Sequence, residues 1–257
     1  MSSRVYSLQR HCGTNQLKSK GSGISLPTLD SEGPKYKVRL SIFMPFYVLK
    51  VGGSLLNCAR DLICALTSLD AEGYSFLAVP GGGPMANLVR DLFSRHEISQ
   101  EAAHWMAILA MEQYAYFLAD GTGAKFTAEI VRPKDNVVEV LMPYQALLKD
   151  DSGLAHNWNF TSDAVAALAA LRLDAQMIKA TDVDGVIING KVIEEISPGE
   201  LIGKKSCMDQ GSLQILQAGS KGTSAWILNG TDANRFINAL RRGKGGTIIR
   251  AKTRNRR

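Results

Sequence analysis

A lysine that ends an apolar run and is followed at once by glycines is the first pattern in this chain with chemical content. Lys50 sits in Phe46-Tyr-Val-Leu-Lys-Val51 and precedes Gly52-Gly53-Ser54, and a second cluster, Gly81-Gly82-Gly83, follows the apolar run over 74–80. An ammonium on a buried strand is costly unless an anion offsets it. Glycines lack the Cβ that would hold a phosphate away from the backbone, and they adopt positive φ freely. Where such a loop joins the carboxyl end of a strand to the start of a helix, its N–H groups and the helix dipole receive anions. Two such loops imply two neighbouring anion cradles, with a phosphate as the partner Lys50 needs. The bland alternative is two structural turns and a lysine reaching to solvent from a strand end; the repetition of the cluster in the same setting weighs against it. Neither loop has the G-x-x-x-x-G-K-S/T or G-x-G-x-x-G spacing, so neither a P-loop NTPase nor a dinucleotide-dependent dehydrogenase fits.

Such loops need a sheet to carry them. Strands read over 46–51, 74–80, 137–142, 176–180, 225–228 and 246–250 alternate with helices over 55–69, 84–95, 100–119, 143–149, 211–218 and 232–240. Thr161-Ser-Asp163 is an N-cap for a further, Ala-rich helix ending at Arg172. This alternation predicts an α/β protein with a mainly parallel open sheet covered on both faces. Asn189-Gly190 within 186–193 predicts a hairpin with a tight type I′ turn. The helix over 100–119 is apolar on nearly every face, which implies burial against other helices or a subunit interface, and so a homo-oligomer.

Composition narrows the function classes. The 257 residues are 45% apolar and 21% charged, ordinary for a globular protein. The net charge of +6 invites a nucleic-acid reading, but residues 1–46 hold seven Lys/Arg against two Asp/Glu, 241–257 hold eight against none, and the middle is acidic, with fifteen against twenty-two. A body of that sign, with no aromatics interleaved in the basic tail, argues against RNA binding. No uncharged apolar run is long enough for a membrane helix, since His104, Glu112 and Arg172 interrupt the candidates. Cys12, Cys58, Cys64 and Cys207 include no C-x-x-C pair, so neither a disulfide framework nor a protein metal centre is expected, and a reducing cytoplasm fits. The expected organisation is a disordered basic extension over 1–45, with an organellar leader or an upstream extension as alternatives, then one domain over 46–252 and a basic tail over 253–257.

The segments Leu49-Lys-Val-Gly-Gly-Ser-Leu55, Pro80-Gly-Gly-Gly83, Thr161-Ser-Asp-Ala164, Lys179-Ala-Thr-Asp-Val-Asp-Gly-Val186 and Gly246-Thr-Ile248 occur in that order, and together they resemble the amino acid kinase superfamily over residues 46–252. Within it the nearest likeness is to the [5-(aminomethyl)furan-3-yl]methyl phosphate kinases of methanofuran biosynthesis. That likeness rests on Ala103-His-Trp-Met-Ala-Ile108, Ala110-Met-Glu-Gln-Tyr114, His156-Asn-Trp-Asn-Phe-Thr-Ser-Asp163, Cys207-Met-Asp209 and Leu228-Asn-Gly230 before Arg235. The chain departs from uridylate kinases in reading Pro84-Met-Ala-Asn87 after the triple glycine, and from the superfamily in replacing the Asp-Pro that commonly follows Gly185 by the hairpin.

The resemblance implies a three-layer αβα sandwich and in-line transfer of the ATP γ-phosphoryl group, with Mg²⁺, to a small phosphate monoester. It implies that Lys50 bridges the transferring phosphoryl oxygens, that Gly52, Gly53 and Ser54 hold the ATP phosphates, and that Gly81, Gly82 and Gly83 bind the acceptor phosphate. Asp163 matches the aspartate that orients the catalytic lysines; the second lysine is Lys221, with Lys179 the rival. Thr181, Asp182, Val183, Asp184 and Gly185 fall at the nucleotide site. His104 is either a core histidine or an acceptor-pocket residue, and His156 and Trp158 are expected to close over the ring. Asp209 either pairs with the acceptor's ammonium or caps a turn. UMP, isopentenyl phosphate or a carboxylate as acceptor, and a non-catalytic nucleotide-binding protein, are the competing readings.

Overall fold

The computed structural model describes residues 45–134, 138–219 and 223–251. Lys221, the tail over 253–257 and all but the last residue of the extension expected over 1–45 lie outside the described residues.

Ten strands and eight α-helices follow one another among the described residues. Strands β1 (Phe46–Val51) and β2 (Ser75–Pro80) are linked through α1 (Ala59–Thr67). After β2 come α2 (Gly83–Arg95), α3 (Gln100–Ala119), β3 (Lys125–Thr127), β4 (Val138–Leu141), α4 (Pro143–Leu147), α5 (Ser162–Arg172) and β5 (Gln176–Thr181). A hairpin, β6 (Ile187–Ile188) with β7 (Lys191–Val192), leads to β8 (Glu195–Ile196) and α6 (Pro198–Leu201). The chain then forms α7 (Gln210–Ala218), β9 (Ser224–Asn229), α8 (Ala233–Arg242) and β10 (Thr247–Arg250). The main sheet has the order β3-β4-β2-β1-β5-β9-β10-β8 and is parallel except where β10 meets β9. The α/β expectation, with a mainly parallel open sheet, holds.

Period two explains the layers. Val48, Leu77, Val79, Met177 and Ile227 point into one core with α5 and α7, while Leu49, Val51, Phe76, Ile178 and Trp226 point into the other with α1 and α8. On β1 and β5 the register places Lys50 beside Lys179. By alternation both lysines share the α5 side with Val48 and Met177. The fully buried alanines Ala164, Ala166, Ala167, Ala169 and Ala170 give α5 a small contact surface, so it lies close over β1 and β5. Strand order also reverses here, since β2 and β4 extend one way from β1 and β5 and β9 the other. In open parallel sheets the crevice at such a point is where ligands bind.

Two local departures have physical causes. The helix expected over 55–69 starts only at Ala59, because the chain first makes a 3₁₀ turn over Gly53–Leu55 as it leaves the glycine loop. Strands β3 and β8 and helix α6 were not legible: they have three, two and four residues, too short to show a period, and Pro198-Gly199 reads as a turn although Ser197 and Glu200 form a capping box. The Asn189-Gly190 turn has the expected positive φ values, 50° and 74°. The all-apolar α3 is explained largely within the chain, with Ile108 and Met111 in one core, Tyr114, Ala115 and Leu118 in the other and Ala110 against α2; Leu109 and Tyr116 remain exposed.

Candidate active site

The carboxyl ends of β1 and β5 carry a buried charge triad. Asp163, in the first turn of α5, is ion-paired through Oδ1 with Lys50 Nζ at 3.0 Å and accepts a hydrogen bond from Lys179 Nζ on Oδ2 at 2.5 Å. Lys179 also donates to the carbonyl of Cys207. All three side chains are more than nine-tenths buried. One carboxylate between two ammoniums leaves a net positive charge at the mouth of the sheet, where an anion is attracted. Burial alone would push the Asp163 carboxyl up, but the two ammoniums outweigh it and hold it far below the usual carboxylate range. Burial, reinforced by Lys179 and opposed by Asp163, holds the Lys50 ammonium below the usual lysine range.

The glycine loops meet backbone to backbone beside this triad. A Cβ on Gly53 would stand 2.7 Å from Gly83 Cα, and one on Gly81 would stand 2.9 Å from both Gly53 N and Val51 O. Gly83 itself has φ +54° at the start of α2. Tyr114, fully buried on α3, donates its hydroxyl to Gly52 O at 3.3 Å, fixing the first loop from behind. Gly53→Ala forces one loop off the other, and we expect a loss of about 1–3 kcal/mol, as for other overpacked sites, measured by chemical denaturation.

Asp209 settles a question the sequence left open. Its Oδ2 accepts from Thr161 N, Thr161 Oγ1 and Ala164 N at 2.8, 2.6 and 3.2 Å, and its Oδ1 accepts from Ser212 N at 2.6 Å. One carboxylate therefore caps the starts of both α5 and α7, and its own N–H donates to Asp163 Oδ2 at 3.3 Å. Burial, then the nearby Asp163, pushes the Asp209 carboxyl up. Removing it in Asp209→Ala uncaps two helices and should cost about 2–4 kcal/mol in a urea titration, with α5 loosened under Asp163.

At the end of β5, the Ser54 hydroxyl beside Asp182 keeps that carboxyl below the usual range, and Thr181 Oγ1 donates to it at 3.1 Å. Asp184 is held by Asn229 and Arg235, each at 2.9 Å. Gly185, at φ +149°, packs where a Cβ would stand 2.4 Å from Thr247 Oγ1. A cavity of about 280 Å³ opens beside them, with Val183, Val186, Ile187 and Leu201 as apolar walls, Lys204 at its edge, and Cys207 joining it to the triad. Asp182 and Ser54 supply hard oxygen donors of the kind Mg²⁺ takes. Among the described residues, no group of three or more His, Cys, Asp or Glu side chains forms a protein metal site.

On the other side of the triad lies a narrow cleft lined by Gly82, Arg90, His104, Trp158, Thr161 and Ser162, among others. It joins the second glycine loop to the start of α5. Its enclosed space is about 40 Å³, too small for a ring and a phosphate together. Trp158 packs edge-on to Phe93 at 5.6 Å and under Arg90 at 5.4 Å. His156 is not in the lining: it stacks on His104 with ring centroids 3.9 Å apart and is held by Glu101 and Asp151.

The sequence of residues 45–229 matches the family model described as the amino acid kinase family. The chain belongs to that family. A curated relative, the [5-(aminomethyl)furan-3-yl]methyl phosphate kinase of Methanocaldococcus jannaschii, is 31% identical over 206 residues, covering 76% of this chain and 92% of the relative. Among solved structures, uridylate kinase from Archaeoglobus fulgidus superposes with a TM-score of 0.58 at 21% identity, over 79% of this chain and 99% of that one. UMP kinase from Ureaplasma parvum gives 0.57 at 16% identity, over 80% and 99%. At those identities the solved structures establish the shared fold.

Of the residues singled out from sequence, this amino acid kinase family member brings Lys50, Gly52, Gly53, Ser54, Asp163, Lys179, Thr181 and Asp182 to one crevice, with Gly81, Gly82 and Gly83 against it. Lys179, on the strand next to Lys50, is the lysine that meets Asp163; Lys221 lies outside the described residues. Sequence reading missed Tyr114, Arg90, Glu101, Asp151 and the Cys207 carbonyl. Tyr114 looked like one more apolar residue of α3, and a carbonyl leaves no mark in a sequence.

Proposed function

We propose that the protein transfers the γ-phosphoryl group of ATP to the phosphate of (5-(aminomethyl)furan-3-yl)methyl phosphate. An acceptor phosphate oxygen forms the new P–O bond, the bond from Pγ to the ADP oxygen breaks, and ADP leaves. The observation that carries this reading is the Lys50–Asp163–Lys179 triad between two glycine loops. A transfer between two anions asks a protein for positioning and charge neutralisation, with no covalent step. The identity of the acceptor is supported by the relative acting on that compound, which matches most of both chains.

In this reading Gly52, Gly53 and Ser54 hold the ATP phosphates and Gly81, Gly82 and the start of α2 hold the acceptor phosphate. Lys50 and Lys179 stabilise the oxygens in transfer, with Lys179 as the second catalytic lysine, and Asp163 fixes both. Asp182 and Ser54 would hold Mg²⁺, which when bound would supply further charge neutralisation. The adenine occupies the apolar cavity by Val183 and Val186, bounded by Gly185. Asp184 is engaged by Asn229 and Arg235 and acts at the rim. Exposed Leu88, Leu109 and Tyr116 on α2 and α3 support a homo-oligomer, and no helix among the described residues is long and apolar enough to cross a membrane. That acceptor would place the protein in methanofuran and one-carbon metabolism, and its cysteine usage fits a reducing cytoplasm.

An ATP-consumption screen with the aminomethylfuran phosphate, UMP and isopentenyl phosphate tests the acceptor. The furan compound should be turned over with the highest kcat/KM; turnover of UMP alone would overturn the proposal.

A further inference from the structure

The acceptor cleft contains one feature that phosphate transfer does not use. His104 is more than nine-tenths buried, lines the cleft, and its Nε2 is a buried atom without a hydrogen-bond partner. Leaving a buried polar atom unpaired is unfavourable, so a ligand that pairs it gains affinity. No carboxylate stands among the described residues lining the cleft, and its charged group is Arg90.

Carboxylates stand one layer back instead. His156 lies flat on His104, 10° from parallel, with Glu101 on Nδ1 at 2.5 Å and Asp151 on Nε2 at 2.9 Å. Those two hydrogen bonds raise the affinity of His156 for a proton, Glu101 first. Burial, then His156, lowers that of His104. A protonated His156 between two carboxylates carries one net negative charge, placed behind a neutral His104 ring.

We propose that His104 determines specificity for an acceptor bearing a primary ammonium: its Nε2 lone pair accepts from the ammonium, and the Glu101–His156–Asp151 cluster supplies the compensating charge. The inference rests on the aminomethyl acceptor proposed above. His156 is then a positioning residue that sets the His104 ring plane and its charge state.

The test compares (5-(aminomethyl)furan-3-yl)methyl phosphate with the analogue carrying methyl in place of aminomethyl, in steady-state kinetics. Wild type should prefer the amine by tenfold or more in kcat/KM. His104→Phe, which keeps a ring against His156, should raise KM for the amine at least tenfold, leave KM for the methyl analogue within twofold and keep kcat for both. His104→Gln, which restores an accepting oxygen, should recover part of the preference, and His156→Leu should weaken it. Equal loss on both acceptors, or an intact preference in His104→Phe, overturns the inference while the acceptor proposal stands. Wild type inactive on both compounds would instead sink the acceptor proposal itself.

Discussion

Lys50→Met should lower kcat by about a thousandfold and leave the protein folded. In the proposed transfer Lys50 is a preorganised charge aimed at the moving group, and removing one such donor costs ~10²–10³ in comparable sites. The retained stability follows from the triad. Without Lys50, Asp163 keeps Lys179 at 2.5 Å, so no buried charge is left alone, and methionine fills the space of the lysine stem. Single-turnover kinetics with ATP and the furan acceptor would measure the first part, and the thermal unfolding midpoint the second. A Lys50→Met protein with wild-type kcat would remove this lysine from the chemistry.

Asp163→Ala should be the opposite kind of variant, inactive and also unstable. It leaves Lys50 and Lys179 facing each other with no anion between them, and breaking a buried pair in this way costs about 3–5 kcal/mol. Adding Lys50→Met should return part of that loss, because one of the two repelling ammoniums is gone. A double-mutant cycle by chemical denaturation reads this coupling directly. The pH dependence carries a definite sign. The folded-state carboxyl titrates below its unfolded value of about 3.9, despite burial pushing it up, because of the two lysines. Its contribution is therefore complete above the unfolded pKa and lost as pH falls through the folded one. The stability gap between wild type and Asp163→Ala should narrow as pH falls below the unfolded carboxyl value of about 3.9.

How far the sequence carried this account differs from one element to the next. Strands β1, β2 and β5 were legible because they are apolar runs closed by glycine or by a polar turn, and the crevice between them followed from the parallel order. Lys50 stood out because it breaks such a run. Lys179 does the same on β5, but its pairing with Lys50 depends on which strands become neighbours, and that is a property of the whole sheet. Asp209 offered no local hint that it caps two helices at once, since Thr161 and Ser212 lie 48 and 3 residues away from it. His156 was expected over the acceptor; it sits instead between Glu101 and Asp151 because two carboxylates from separate segments converge on it. The short elements β3 and β8 are too brief for any period to register.

In the proposed reaction this crevice moves a phosphoryl group from ATP onto another phosphate. Phosphorus-31 NMR of the full chain with ATP, Mg²⁺ and (5-(aminomethyl)furan-3-yl)methyl phosphate tests it most directly. Coupled diphosphate signals of a new ester should grow in step with ADP, and none should appear with Lys50→Met over the same time. ADP appearing with free inorganic phosphate, while the acceptor resonance stays unchanged, would contradict it.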